Sequence, residues 1–175
     1  MAQRSTGLPQ GITDAHQRPH RGWRAHANPA ATLVLGGLLV AALLGAFGVS
    51  TTLRTATDGA CLEVHLPSRI RTGELFEIRI MVVPNRPVSQ LRVGISTALV
   101  QDMTINTVAP QAAEEASAAG EERYVFGRLA SAEVWMGKLD LQINPNLFGL
   151  RRGQITVYDG GRALASVDAG ILVLP

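Results

Sequence analysis

An apolar run of 20 residues extends from Ala30 to Val49 without a single charged side chain. As a helix, this run would rise about 1.5 Å per residue and reach about 30 Å, which matches the hydrocarbon core of a lipid bilayer. Ten of its residues are Leu, Val or Phe, and each of these favours membrane insertion by roughly 0.4 kcal/mol. The run therefore predicts a transmembrane helix over residues 30–50.

The charges on the two sides of this run differ. Residues 1–29 contain one acidic residue, Asp14, and four arginines, Arg4, Arg18, Arg21 and Arg24. On the other side, the nearest charges cancel. Because the more basic flank of a transmembrane helix stays in the cytoplasm, we expect the N-terminus inside and residues 51–175 on the periplasmic or extracellular side of the cytoplasmic membrane. Residues 1–29 are too short and too polar to bury a core, which predicts a disordered tail.

A cleaved signal peptide is the competing interpretation of the apolar run. The apolar region of a signal peptide is normally about 7–15 residues long and follows a short basic segment, whereas both parts are longer here. A lipoprotein signal fits less well, because Cys61 lies far beyond the run and no aliphatic residue stands three positions before it. The sequence thus favours an uncleaved anchor.

Small residues recur along the predicted helix at Gly37, Ala41 and Gly45. Small residues spaced by four lie on one helix face and let two helices approach closely. This face is a candidate contact with a larger integral membrane protein or with a second copy of the chain. The alternative is that Ala and Gly are simply common in membrane helices.

Beyond a predicted polar linker at residues 51–60, apolar and polar residues alternate with a period of two. Examples are the segments 62–66, 76–82, 91–95 and 135–143, and further short runs follow to residue 174. Such alternation is typical of strands with one buried face, and Asp159-Gly160 is a strong hairpin signal. Only residues 109–122 stay open between a helical turn or two and a mobile loop. Seven or eight short strands predict an all-β fold, an antiparallel β-sandwich over residues 61–175.

Two segments carry a resemblance to a known family. RTGELFEIRI at residues 71–80 and YVFGRLASAE at residues 124–133 resemble bacterial immunoglobulin-like domains of the adhesion and CARDB type. Ala132 stands where that family usually has Gly. The resemblance implies an immunoglobulin-like sandwich that serves adhesion, spacing, docking or ligand binding. The complete layout is also similar to small membrane-anchored proteins of bacteria.

The sequence shows no catalytic, cofactor-binding or metal-binding motif. The predicted exterior part has one histidine, His65, and one cysteine, Cys61, and a cupredoxin-type copper site would need two histidines. P-loop, Gly-x-Ser-x-Gly and His-Glu-x-x-His patterns are absent. Twelve basic residues oppose 13 acidic ones in residues 51–175, so we expect no nucleic-acid binding. Cys61 is a candidate for an interchain disulfide, since it is predicted on the polar face of its strand.

One predicted loop combines large apolar residues with arginines, namely Leu147, Phe148, Arg151 and Arg152. This combination suits a contact surface. In the alternative interpretation, Leu147 and Phe148 close one end of the sandwich.

Together these observations predict a single-pass membrane protein that presents a non-catalytic, immunoglobulin-like interaction module outside the cytoplasmic membrane. Its expected partners are the lipid bilayer and an integral membrane protein or a second copy of itself. The alternative is a module that binds a small ligand or a glycan at the rim of the sandwich.

Overall fold

A computed structural model describes residues 28–45 and 50–175. Helix α1 (Pro29–Leu43) and the β-sandwich belong to separate compact units. The helix begins where the side chain of Asn28 accepts a hydrogen bond from the Ala30 N–H at 3.1 Å, and Pro29 fits the first turn because its missing N–H has no helical partner there.

Helix α1 is shorter than the predicted transmembrane span. It has 15 residues, which corresponds to about 22 Å, and among the described residues no helix is long and apolar enough to cross a membrane. Gly45 has a φ of 76°, the left-handed conformation in which glycine commonly ends helices. The prediction that the helix continues to residue 50 is therefore wrong at Leu44 and Gly45. Residues 46–49 and most of the predicted tail lie outside the described residues.

The chain from Ser50 onward forms eleven strands and one short helix. The strands are β1 (Ser50–Ala56), β2 (Ala60–Pro67), β3 (Arg69–Arg71), β4 (Leu75–Pro84), β5 (Leu91–Ser96), β6 (Met103–Ala109), β7 (Glu114–Ala118), β8 (Glu121–Val125), β9 (Trp135–Ile143), β10 (Gly149–Asp159) and β11 (Arg162–Leu174), and helix α2 (Thr97–Val100) follows β5.

These strands make two sheets. The five-stranded sheet has the order β1-β2-β4-β9-β6, and the six-stranded sheet has the order β3-β11-β10-β5-β8-β7. Every pairing is antiparallel except that of β3 with β11. The prediction of an all-β fold with two antiparallel layers is confirmed, and the arrangement is consistent with an immunoglobulin-like sandwich.

The core lies between the two sheets. Alternate residues of the central strands are fully buried, such as Leu62, Ile80 and Leu141 from one sheet and Ile95 and Ile155 from the other. This is the outcome that the two-residue period predicts, because successive side chains of a strand point to opposite faces.

Three segments differ from the sequence-based interpretation. Residues 50–56 are strand β1 and not part of a linker, because Leu53 packs on the core while the backbone pairs with β2. The segment 69–71 lies within residues 67–73, whose Pro, Ser and Gly indicate a turn, but it forms strand β3 with Ile70 buried. Residues 114–125 form a hairpin of β7 and β8, so neither the helical turn nor the mobile loop is present there.

Two turns bear on the family resemblance and on the hairpin prediction. The predicted hairpin at Asp159-Gly160 is confirmed: it joins β10 and β11, and Gly160 has a φ of 57°. Ala132, which stands where the family usually has Gly, has a φ of 61°. This left-handed conformation costs a residue with a side chain about 1 kcal/mol or more.

Candidate functional site

A groove of about 720 Å³ lies on the outer face of the five-stranded sheet. Strands β2, β4 and β9 form its floor, and Ser50 of β1 and the Ala109-Pro110 segment after β6 contribute to its walls. Such a volume is typical of binding sites for ligands or for side chains of a partner.

The register of the three floor strands brings distant residues into rows across the sheet. Glu63 of β2 lies opposite Met81 of β4, which in turn lies opposite Met136 of β9. The next row consists of His65, Arg79 and Lys138. Because these residues alternate with buried ones in each strand, their side chains all project to the outer face.

Glu63 is the centre of a charge cluster at one side of the groove. Its carboxylate accepts a hydrogen bond from Arg54 Nη2 at 3.0 Å and forms an ion pair with Arg54 Nε at 2.8 Å. His65 Nε2 lies 2.7 Å from the same carboxylate, and His65 Nδ1 lies 2.9 Å from the hydroxyl of Thr52. The hydrogen bond from Arg54 lowers the pKa of Glu63 below its usual value. Glu63 therefore stays ionised although it is 8% exposed.

A second charge cluster crosses β4 and β9. Glu77 accepts hydrogen bonds from Arg79 and, at 3.2 Å, from Lys138 Nζ. Lys138 Nζ also lies 3.5 Å from Asp140. The hydrogen bond from Arg79 is the main cause that lowers the pKa of Glu77, and the bond to Glu77 raises the pKa of Lys138. Glu77 is thus ionised, and Arg79 and Lys138 compensate its charge.

An apolar patch continues from the groove on the side away from the Glu77 cluster. Met81 and Val83 are half-buried, Met136 is 70% exposed, and Val134 is 57% exposed. Cys61 lies opposite Val83 in the β2–β4 register and is exposed as a free thiol. The surface therefore combines an apolar patch with charged pairs beside it, which is a composition found in many protein interfaces.

The arrangement offers binding groups but few chemically active ones. The two glutamates, Glu63 and Glu77, are held by cations. Within residues 28–45 and 50–175, no group of three or more His, Cys, Asp and Glu side chains is placed to hold a metal ion.

Aromatic residues of the sandwich are mostly internal. Phe126 and Trp135 pack with their ring centroids 4.6 Å apart, and Tyr124 is 4% exposed. Burial raises the pKa of Tyr124 to about 12. Among the described residues that line the groove, Phe76 is the only Phe, Tyr or Trp, so a stacking platform for sugar rings is poorly developed.

The structure separates the residues of the predicted contact loop. Leu147 is 2% exposed and belongs to the core, whereas Phe148 is 69% exposed. Arg151 Nη2 lies 3.5 Å from Asp102, and Arg152 is exposed on β10. Leu147 thus closes the end of the sandwich and Phe148 is exposed, and a contact role for this loop stays a prediction.

The residues of the predicted helix-packing face are not all on the helix. Gly37 and Ala41 belong to α1, but Gly45 follows its end, because a glycine with a positive φ terminates the helix here. Gly45 O accepts a hydrogen bond from Arg69 Nη1 at 3.5 Å, which is a backbone contact and not helix packing. The role of the face in helix packing stays a prediction, as does an interchain disulfide through Cys61.

The groove itself was missed from the sequence. The only available signal was the set of charged residues opposite the apolar faces of β2, β4 and β9, which looked like an ordinary solvated face. The residues of β2, β4 and β9 that form the groove become neighbours only through the strand register, which a single sequence does not reveal.

Comparisons with known proteins give only a general likeness. No protein-family model matches the chain, and no curated protein matches it in sequence. Among solved structures, CaCohA2 from Clostridium acetobutylicum is similar with a TM-score of 0.45 and 16% identity, over 63% of this chain and 88% of that one.

Two further structures are from Pyrococcus furiosus. A CARDB domain has a TM-score of 0.43 and 12% identity, over 69% of this chain and 93% of that one. The chitin-binding domain of a chitinase has a TM-score of 0.40 and 10% identity, over 65% of this chain and 99% of that one. These neighbours are immunoglobulin-like β-sandwiches, and likeness at this level assigns no ligand to the present chain.

Proposed function

We propose that this protein is a membrane-tethered, non-catalytic interaction module that docks on another integral membrane protein. In this proposal, α1 belongs to a single membrane anchor in the cytoplasmic membrane, with the N-terminus inside. The sandwich lies outside and presents the groove of the five-stranded sheet to the partner.

The composition of α1 supports the tether. None of its residues is buried, and its large side chains, among them Leu33, Leu39 and Leu43, are 50% to 83% exposed. A helix that is apolar on all sides is stable only in a membrane or inside a protein. The apolar sequence continues to Val49, and the arginines before the run exceed the basic residues just after it.

The groove carries the docking part of the proposal. Its apolar residues Met81 and Met136 can adapt to the shape of a partner, because methionine is flexible and polarisable. The surrounding charges already have partners within the sheet, so binding would not have to neutralise isolated buried charges. A tether would also raise the effective concentration of the module near a partner in the same membrane.

Cys61 offers a direct test of the topology, because it is the only cysteine of the chain and is exposed. A membrane-impermeant maleimide is expected to label it in right-side-out membrane vesicles. The control is Ser5→Cys in a Cys61→Ser background, which should react only after the membrane is opened. Labelling with the reverse pattern, or recovery of the chain outside the membrane fraction, would reject the tether or its orientation.

The docking surface is tested with a photo-crosslinking amino acid. We would place it at Met136 in the groove and, as a control, at Gln154, which is exposed on β10 of the other sheet. In native membranes, a defined adduct with one integral membrane protein is expected at Met136 and not at Gln154. Equal yields at both positions, or no adduct at Met136, would contradict docking through the groove.

A small polar ligand is the second candidate. The groove volume of about 720 Å³ lies within the roughly 300–1,000 Å³ of ordinary ligand sites. Binding of a ligand to the folded state would raise the melting temperature with ligand concentration. A thermal-shift screen of metabolites and oligosaccharides, with Met81→Asp as the control, would detect it.

A further inference from the structure

We propose that the free edge of β7 is a second docking surface, which takes up an extended, basic segment of a partner protein as a further strand of the six-stranded sheet. This acidic edge consists of β7 together with Glu115 and Glu122, which lie on one face of the β7–β8 hairpin. The inference does not depend on the membrane tether or on the groove, because the acidic edge belongs to the other sheet.

Strand β7 is at the end of the six-stranded sheet and, among the described residues, pairs only with β8. In such an edge strand, the N–H and C=O groups of alternate residues point away from the sheet and are free to pair with another strand. All five residues of β7 are exposed, and its pairing with β8 is regular. The strand therefore presents an accessible row of backbone donors and acceptors.

The other edge strands in the part of the chain that the structure describes are less open or not acidic. Strand β3 has only three residues. Strand β6 has an irregular register between Ile105 and Thr107, and Pro110 follows it directly; bulges and prolines are usual protections against strand addition. Strand β1 has one charged residue, Arg54, which pairs with Glu63.

The strand register places two acidic side chains on the core-facing side of the hairpin. Glu122 of β8 lies opposite Ile95 of β5, and Tyr124 of β8 lies opposite Glu115 of β7. Ile95 and Tyr124 are buried in the core, and directly opposed residues share a face of the sheet. Glu115 and Glu122 therefore lie on this face. Because Glu115 is exposed and Glu122 is half-buried, the five-stranded sheet does not cover this part of the hairpin.

No basic side chain of the described residues compensates these two acids. The hairpin, residues 114–125, contains four glutamates and one arginine. That arginine, Arg123, points to the other face and pairs with Glu121 at 3.0 Å. Neither Glu115 nor Glu122 forms an ion pair with a described residue. The acidic edge thus has a negative charge that a partner would complement.

The hydroxyl of Tyr124 adds an unpartnered polar group beside the two acids. Tyr124 is 4% exposed, and its hydroxyl forms no hydrogen bond with a described residue. Burial raises the pKa of this tyrosine, and so do the charges of Glu115 and Glu122. Lys138 lines the same small cavity as Tyr124, but its ammonium group pairs with Glu77. A basic side chain that enters here would find carboxylate and hydroxyl oxygens as hydrogen-bond acceptors.

Charge decides which segment fits the acidic edge. An added strand places every second side chain on the face that carries Glu115 and Glu122, so lysine or arginine at alternate positions complements these acids. A second copy of the chain would bring another hairpin with the same negative excess, and like charges across an interface are unfavourable. The occupant is therefore an extended segment of a different protein with basic residues at alternate positions.

The probe for this site is a synthetic peptide, Thr-Lys-Thr-Lys-Thr-Lys-Thr, with both ends blocked and a fluorophore attached. Fluorescence anisotropy measures its binding to the full chain in a non-ionic detergent. The control peptide, Lys-Lys-Lys-Thr-Thr-Thr-Thr, has the same composition and charge without the alternation. The alternating peptide is expected to bind several-fold more tightly, and equal affinities would overturn the inference.

N-methylation distinguishes strand addition from simple attraction between charges. In a strand, the N–H groups of one alternate set face the neighbouring strand, and those of the other set face away from it. Two versions of the alternating peptide therefore carry N-methyl groups either on all lysines or on all threonines. One version is expected to bind at least about tenfold more weakly than the other, because it loses its backbone hydrogen bonds to β7. Similar binding of both versions would overturn strand addition.

Variants of the chain locate the binding site. Glu115→Gln with Glu122→Gln is expected to weaken binding of the alternating peptide by about two- to thirtyfold, the range for two opposite-charge pairs across strands. The matched control, Asp58→Asn with Glu74→Gln, neutralises two exposed acids outside the hairpin and should leave the affinity unchanged. An unaltered affinity in the first variant, or an equal loss in both, would overturn the acidic edge as the site.

Tyr124→Phe tests the hydroxyl separately. Because this hydroxyl has no hydrogen-bond partner among the described residues, its removal should not lower the melting temperature of the free chain. The affinity for the alternating peptide should fall by about two- to tenfold. An unchanged affinity would overturn the role of the hydroxyl in binding.

Sedimentation of the full chain at increasing concentration examines the other possible occupant. A dimer that the alternating peptide dissociates would assign the edge to a second copy and overturn the inference. The expected result is that the peptide changes no dimer content. All these measurements are independent of docking through the groove, because Met136 belongs to the other sheet.

Discussion

Leu147 and Phe148 are neighbours in one loop, yet the structure gives them opposite environments. Leu147 is 2% exposed and Phe148 is 69% exposed. Leu147→Ala removes three carbon atoms from a closed core site, which costs about 3 kcal/mol when the cavity term is included. Phe148→Ala leaves the core intact, so we expect a change within about 0.5 kcal/mol.

The assay is thermal unfolding of the two variants followed by circular dichroism of the strands. For a sandwich of this size, 3 kcal/mol corresponds to a fall of about 10 °C in melting temperature, whereas Phe148→Ala should shift it by less than about 2 °C. Urea unfolding at an unchanged m-value would exclude an effect on the denatured state. Similar losses in both variants would refute the division of the loop into a core residue and a surface residue.

Four further predictions follow from single contacts. Gly94→Val should lower the free energy of unfolding by about 1–3 kcal/mol, because a Cβ there would lie 3.0 Å from the ring of Tyr158. The measurement is the shift of the urea midpoint. Ala132→Gly should raise the melting temperature by a few degrees, since its φ of 61° strains a residue with a side chain by about 1 kcal/mol. The pKa of Tyr124 is raised from 10 to about 12. The free energy of unfolding should therefore be unaffected by this group below pH 10 and fall by about 2–3 kcal/mol as the pH rises from 10 to about 12. Tyrosinate absorbance measures the pKa, and urea titrations measure the loss of stability. The pKa of Glu77 is lowered by the neighbouring arginine, so its contribution to stability is present above the usual pKa and is lost as the pH falls through the lowered one; Glu77→Gln should flatten the acid side of the pH–stability profile.

The parts of the fold that were predictable are those in which a single strand carries its own signal. In β4, Ile78, Ile80 and Val82 are buried between more exposed neighbours, and this local alternation is visible without any partner strand. The Asp159-Gly160 turn is equally local, because a positive φ is demanded by the turn itself.

Strands that depend on their neighbours were not predictable. All residues of β7 are exposed, so its sequence has no apolar face, and it exists because its backbone pairs with β8. β1 has Leu53 as its only large apolar residue and is held by pairing with β2. Edge strands of this kind are specified by backbone hydrogen bonds more than by side-chain pattern.

The candidate site was hidden for a related reason. Glu63, Met81 and Met136 are distant in sequence and become neighbours only through the register of three strands. A shift of one residue in either pairing would turn the opposite set of side chains outward. The end of α1 just before Gly45 depends on the positive φ of that glycine, which the apolar composition of the segment does not indicate.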